Sequence, residues 1–431
     1  MKVRPRAARA AATLLAAGLL AAATGCGGSS GAPSDGAGQQ AITLVVQDFG
    51  NFGYKKLLRE YEQAHPNIKV VERVGEYNKH HEDLAKHLDA GTDAGDVVAI
   101  EEGYVVQFRN RSQDFVNLFD HGAAKLADQW LPWKWQDTLS ADGKGQIGLG
   151  TDIGGLGMCY RSDLFKEAGL PTDRDEVAKL WPTWEAYLAT GRRFQAADLP
   201  AQWTDAASNL YNQVLAQQDV GYFDRSEKLV AATVPGVKRA WDVSVAMVKA
   251  GQSAKYRTFN TQWVAALQGG RFATLACPAW MLGWIQQNAP ATRGMWDVTA
   301  VPGGSGNWGG SWLAVPKQSA HPAEAYALAA WLTASEQQLR IFIETGNLPS
   351  QPELYTDPAV TGFSNEFFRD APVGRIFTAS VERKPPQYLG AHNGAVRKIF
   401  EERLGEVEVG AKSPSTAWTE ALAQAARATG G

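Results

Sequence analysis

Trp280 follows the apolar run 273–277 and Cys277-Pro278-Ala279, Trp308 precedes Gly309 and Gly310, and Phe52 lies between Asn51 and Gly53. A flat aromatic face beside residues with almost no side chain can stack on the C–H face of a ring, and glycine lets the backbone approach and offer N–H groups. Hydroxyls on such a ring would need planar amides or carboxylates as partners. Asn51, Glu102, Asp152 and Asn347 sit where strands are expected to end or the chain to turn. The chemistry these residues suggest is non-covalent capture of a polar ring compound such as a sugar.

Each of these residues also has a plainer structural role. Trp280 could wedge a strand against a helix, the glycines after Trp308 could serve a turn that needs positive φ, and Asp152 could cap the next element. Glu101 and Glu102 cannot both face one cleft if the strand continues through them, because successive side chains alternate; Glu102 is chosen. Tyr211 and Asn212 could be helix-face residues, and Asn347 stands in the loop Gly346-Asn347-Leu348-Pro349. Trp130, Trp133, Trp135, Trp181, Trp184 and Trp331 crowd prolines or lie on helices and are assigned to packing.

The remaining chemistry is sparse. No His-Glu-x-x-His pair or phosphate-binding glycine loop occurs. His80, His81 and His87 surround Asp83 on a helical stretch, but His81 and His87 face different ways, so these are read as helix residues and no metal or cofactor is expected. A glycosidase would need two carboxylates at a fixed separation across a cleft, which spacing along the chain does not supply. With an export and lipid-attachment signal and a tether in residues 1–40 also weighing against a hydrolase, the chain is read as a non-enzyme.

The elements that must position these residues begin after residue 40. Lys2, Arg4, Arg6 and Arg9 precede an apolar stretch at 11–23, too short for the ~20 residues of a membrane span, and Ala23-Thr24-Gly25-Cys26 follows. Residues 1–25 read as an export signal, with Cys26 as a lipid attachment site. Residues 26–40, rich in Gly, Ser, Ala and Pro, form a flexible tether. Without the four leader cations, 38 basic residues face 45 acidic ones, which gives no basic surface for nucleic acid. Cys159 and Cys277 each lie in an apolar run, and a disulfide and two buried thiols are left equally open.

The roughly 390 residues beyond the tether exceed one ordinary core. Strand-like runs at 42–46, 67–71 and 95–100 alternate with helical patterns at 54–64 and 81–88, as in a parallel α/β sheet that binds ligands at the carboxyl ends of its strands. Further strands are expected at 145–150, 157–160, 273–277 and 312–316, with helices between them and a mostly helical tail from 364 onward. The expectation is two α/β lobes: 41–150 in the first, 151–300 in the second, 301–350 returning to the first, and 351–431 packing mainly on the second.

Phe49-Gly50-Asn51-Phe52-Gly53-Tyr54-Lys55, Tyr61-Glu62-Gln63-Ala64-His65-Pro66-Asn67-Ile68, Gly150-Thr151-Asp152-Ile153-Gly154, Cys159-Tyr160-Arg161-Ser162-Asp163-Leu164-Phe165, Ala168-Gly169-Leu170-Pro171, Leu180-Trp181-Pro182-Thr183-Trp184 and Asn307-Trp308-Gly309-Gly310-Ser311 carry a family resemblance. The chain resembles family 1 solute-binding proteins of carbohydrate ABC importers, and in detail is similar to actinobacterial cello-oligosaccharide-binding lipoproteins. The resemblance spans essentially the whole chain beyond the tether. It implies a two-lobed periplasmic-binding-protein-like (type II) fold, each lobe a doubly wound sheet flanked by helices, closing over a small oligosaccharide. It further implies permease subunits as partners, a monomer anchored by lipid to the extracellular face of the cell membrane, and ligand contacts at the residues named above, with Tyr211 and Asn212 where relatives carry an aromatic near the second sugar ring. A peptide or another polar nutrient is the alternative cargo; a surface glycoside hydrolase is the less favoured reading.

Overall fold

The computed structural model describes residues 41–381 and 386–430, so the expectations for residues 1–40, Cys26 among them, lie outside the described residues. β1 (Ile42–Phe49), β2 (Ile68–Gly75) and β3 (Val97–Glu101) alternate with α1 (Tyr54–Ala64) and α2 (Tyr77–Ala90), and α3 (Glu102–Arg109) follows β3 directly. β1 pairs in parallel with both β2 and β3. β3 is buried at every position, as a strand covered on both faces must be. Leu57, Leu58 and Tyr61 form the inward stripe of α1.

The rest of the sheet departs from the all-parallel expectation. The strand order is β2-β1-β3-β8-β4-β6-β5, with β7 and β9 also paired to β4. These strands are β4 (Gly148–Arg161), β5 (Gln202–Thr204), β6 (Phe272–Pro278), β7 (Trp296–Ala300), β8 (Asn307–Ala314) and β9 (Leu348–Pro349). β8 runs antiparallel to β3 and β4, and β4 runs antiparallel to β6, β7 and β9. The sheet is mixed because the chain returns to it from distant segments rather than through βαβ crossovers.

β4 joins the two halves. The two separate strands expected at 145–150 and 157–160 are one buried strand. Its first part pairs with β8 and its second with β6 and β7. The register shifts twice around Ile153, and glycines permit it. A Cβ on Gly154 would lie 1.7 Å from the Trp308 carbonyl oxygen, and one on Gly310 (φ +106°) would lie 2.5 Å from that of Asp152. No larger residue fits at this crossing.

Cys159 on β4 and Cys277 on β6 are disulfide-bonded, with Cα atoms 5.5 Å apart, which decides the alternative that the residue types left open. Trp181, Trp184 and Trp203 pack with Tyr187 and Phe194 in one core. Trp130 stacks on Trp135 in another. Trp130, Trp135, Trp181 and Trp184 have the packing role assigned to them, and Trp203 shares it.

One buried group is poorly matched to its surroundings. Asp48, 1% exposed on β1, has no amide, hydroxyl or cationic donor on either carboxylate oxygen among the described residues. Burial, then the neighbouring charge of Glu72 on β2 and a hydrogen bond shared with it, push Asp48 up to about 8. A carboxyl raised on folding contributes stability that is complete below the ordinary value near 3.8 and is lost as pH rises towards 8. Asp48→Asn can donate to Glu72 without a proton. Its Tm relative to wild type is therefore expected to rise steadily between pH 5 and 8 and level off above. A difference independent of pH, measured by thermal unfolding across that range, would sink this assignment.

Candidate functional site

The chain turns from strand to helix between two glutamates. Glu101 ends β3 and caps α3, its Oε2 accepting from the Gly103 N–H at 2.7 Å. Glu102 is already helical, so the alternation of strand faces does not apply and both side chains are buried. Glu102 Oε1 accepts from Asn307 Nδ2 and its Oε2 from the Gly309 N–H, each at 2.7 Å. Burial and the charge of Glu101 push Glu102 up to about 8, against the lowering effect of these donors. Gly309, at φ +91°, offers its N–H to Glu102 in this structure.

Trp308 flanks that glycine. Trp280, just ahead of the helix Met281–Asn288, donates its Nε1–H to the Trp308 carbonyl at 2.9 Å and meets the Trp308 ring edge-on at 5.7 Å. Trp308 lines the cleft, and Trp280 is not among the lining residues. Both are partly exposed.

Asn212 lies on the helix Ala207–Ala216. Its Nδ2 donates to Glu401 Oε1 at 2.6 Å, which fixes the orientation of the amide, and its buried Oδ1 has no partner among the described residues. Tyr211 beside it is fully buried, accepts a hydrogen bond from the Tyr222 hydroxyl and stacks on Phe400, so it backs the cleft wall.

The cleft unites Glu102, Asn212 and Trp308 with Gly103, Asn393 and Arg397. Its free volume is about 30 Å³, room for a water but not for a sugar ring. Asn393 and Arg397 were missed because the C-terminal segment was read only as a helical tail. A signal was present: on the helix Asn393–Glu408, Asn393, Arg397 and Glu401 recur every four residues beside the apolar stripe Val396, Phe400, Leu404 and Val407.

The other named residues lie elsewhere. Asp152 is buried on β4, where its Oδ1 accepts from the Thr151 hydroxyl at 2.8 Å and the Ser311 N–H at 3.1 Å. Its carbonyl accepts from Lys134 Nζ at 2.7 Å. Lys134, on α4 (Pro132–Gln136), sits 3.5 Å over the Trp312 ring; burial pushes it down to about 8, opposed by Asp152 and Glu102. Phe52 is in the core against Phe49 and Tyr54. Asn347 donates its Nδ2–H to the carbonyl of exposed Asn51 at 2.9 Å, tying two loops together.

With this geometry in view, a model of the bacterial extracellular solute-binding proteins matches residues 56–365, and the chain belongs to that family. These proteins bind solutes and are not enzymes, and the resemblance to family 1 binding proteins of carbohydrate importers holds at this level. A crystal structure titled extracellular solute-binding protein family 1 is 42% identical, with TM-score 0.79 over 90% of this chain and 100% of that one. The arabinooligosaccharide-binding protein of Bacillus subtilis is 26% identical over 309 residues, 66% of this chain and 66% of its own length. The binding protein of B. animalis subsp. lactis in complex with β-1,6-galactobiose shares the two-lobed fold at 20% identity and TM-score 0.75, covering 88% of this chain and 96% of that one.

Proposed function

We propose that this chain captures a small oligosaccharide outside the cell and hands it to the membrane permease of an ABC importer. The observation that carries this reading is the meeting of Trp308 with Glu102, Asn212, Asn393 and Arg397 in one cleft between the sheet and the C-terminal helix. An aromatic face beside amides and charged groups suits a ring with an apolar face and a rim of hydroxyls. The relatives named for arabinooligosaccharide and solved with β-1,6-galactobiose support a sugar as cargo. Within that class we favour a β-linked, cello-oligosaccharide-like ligand, on the sequence resemblance.

In this reading residues 41–150 and 301–350 make one lobe, 151–300 and 351–431 the other, and β4 passes between them. The protein works as a monomer. Sugar meets one lobe in the open form and the other stabilises the closed form, so the ligand shifts the equilibrium by its differential affinity for the two. Cys26 carries the lipid that keeps the protein on the outer face of the membrane.

The test is tryptophan fluorescence of the purified protein titrated with cellobiose, cellotriose, 1,5-α-arabinobiose, β-1,6-galactobiose and maltose, with a short peptide as control. Saturation by cellobiose or cellotriose is the expected result. A response to the peptide alone would overturn the sugar reading, and a Cys26→Ser protein that still fractionates with membranes would overturn the anchor.

A further inference from the structure

We propose that Tyr77 and Arg397 form a latch that holds the two lobes closed, and that Glu401 links this latch to the cargo through Asn212. The link to cargo rests on the reading of Asn212 as a sugar contact; the latch itself does not.

Tyr77 begins α2, on the side of the molecule built around β1 to β3. Arg397 belongs to the helix Asn393–Glu408, whose apolar stripe packs with the helices Ala207–Ala216 and Pro235–Lys249 on the other side. Arg397 Nη2 donates to the Tyr77 hydroxyl at 2.7 Å, and that hydroxyl donates to Glu101 Oε2 at 2.5 Å. One phenol oxygen therefore serves a cation from one lobe and a carboxylate from the other. Glu101 is held in turn by the Gly103 N–H, on the turn that places Glu102 in the cleft.

Tyr77 cannot easily swing away from this position. Its ring meets Phe49, His81 and Tyr104 edge-on at centroid distances of 5.4, 5.3 and 5.7 Å. The opposing helix comes close, since a Cβ on Gly394 would lie 3.0 Å from Tyr104 Cε1. Glycine at 394 is what lets this helix reach α3.

The connection to the cleft runs through one more residue. Arg397 Nε lies 3.8 Å from Glu401, and Glu401 Oε1 accepts from Asn212 Nδ2. Asn212 Oδ1 is buried at the cleft wall with no partner among the described residues. A sugar hydroxyl donating to that oxygen would hold the amide, and with it Glu401 and Arg397, in the latched arrangement. Tyr77 is a positioning residue in this account: it lies outside the cleft lining and acts through Arg397.

The closing experiment compares Tyr77→Phe, which keeps the ring and removes the hydroxyl, with wild type in stopped-flow fluorescence. The probes are cellobiose, cellotriose, 1,5-α-arabinobiose and β-1,6-galactobiose, using whichever of them bind wild type. A hydrogen bond to a charged group is worth about tenfold in an equilibrium. The expected result is dissociation about tenfold faster, by the same factor for every sugar that binds, with the association rate within twofold. Glu401→Gln keeps an acceptor for Asn212 but loses the charge facing Arg397, and is expected to move dissociation in the same direction by a smaller factor; it decides the matter if Tyr77→Phe does not fold. Unchanged dissociation, a loss confined to association, or a different factor for each sugar overturns the latch. If no sugar binds wild type, the sugar reading fails separately, and small-angle X-ray scattering of the unliganded proteins judges the latch. A more expanded Tyr77→Phe protein then supports it, and equal compactness overturns it.

Discussion

A Cys159→Ala/Cys277→Ala protein is expected to lose about 4 kcal/mol of stability. The bond spans 118 residues, and closing a loop of that length removes much of the freedom of the unfolded chain, for which the chain-entropy description gives ~4–5 kcal/mol. Unfolding entropy scales with chain length, so the same change lowers Tm by only about 5 °C in a protein this long. Alanine leaves no buried hydroxyl without a partner at either site. Thermal unfolding with and without a reductant is the check: reduced wild type should melt near the variant, and the variant should not respond. An unchanged Tm would mean that the pairing of β4 with β6 needs no covalent help.

Trp308→Ala is expected to weaken sugar binding by roughly thirtyfold or more, as truncation of an aromatic anchor that contributes ~2 kcal/mol does. Trp308 supplies the aromatic face in the cleft, whereas Trp280 reaches the same point through its Nε1–H on the Trp308 carbonyl. Trp280→Phe removes that bond but keeps a ring, so its loss should be several-fold smaller. Calorimetric titration with the sugar that saturates wild type distinguishes the two. Equal losses, or a larger one at Trp280, would make Trp280 the platform and Trp308 its support.

Much of the fold was legible because local pattern and final structure agree from Ile42 to Glu101. The strands at 42–46, 67–71 and 95–100 became β1, β2 and β3, with the helices between them where period-3.6 stripes placed them. The reading failed where a glycine-rich stretch was taken as a break. Gly150-Thr151-Asp152-Ile153-Gly154-Gly155 looks like a loop, yet it is the middle of β4, because only glycine tolerates the approach of β8. Antiparallel pairing of β8 with β3 depends on residues some 200 positions apart, which no local window contains.

The candidate site was legible in a similar way. Glu102 and Trp308 stand next to glycines at element ends and reached the cleft, with Asn212, for which periodicity allowed a helix-face role, beside them. Phe52 has the same local signature but faces inward, and Tyr211, beside Asn212 on its helix, is buried as well, because the packing that covers them comes from distant parts of the chain. Asn393 and Arg397 come from a segment whose helical character hid its polar stripe. Side-chain type proposed the candidates, and topology decided which of them share one cleft.

The long return of β8 to β3 also bears on how the protein is made. A chain crossing a membrane N-terminus first delivers β1, β2 and β3 well before Asn307–Ala314, so one edge of β3 emerges with its backbone N–H and C=O groups unpaired. Such an edge, Val97-Val98-Ala99-Ile100, is apolar and open to pairing with another chain. Pairings of this sequence separation close slowly. The N-terminal half is therefore expected to wait, partly folded and prone to aggregation, until β8 arrives, and secretion yield should respond most sharply to changes that slow the synthesis or release of residues 301–320.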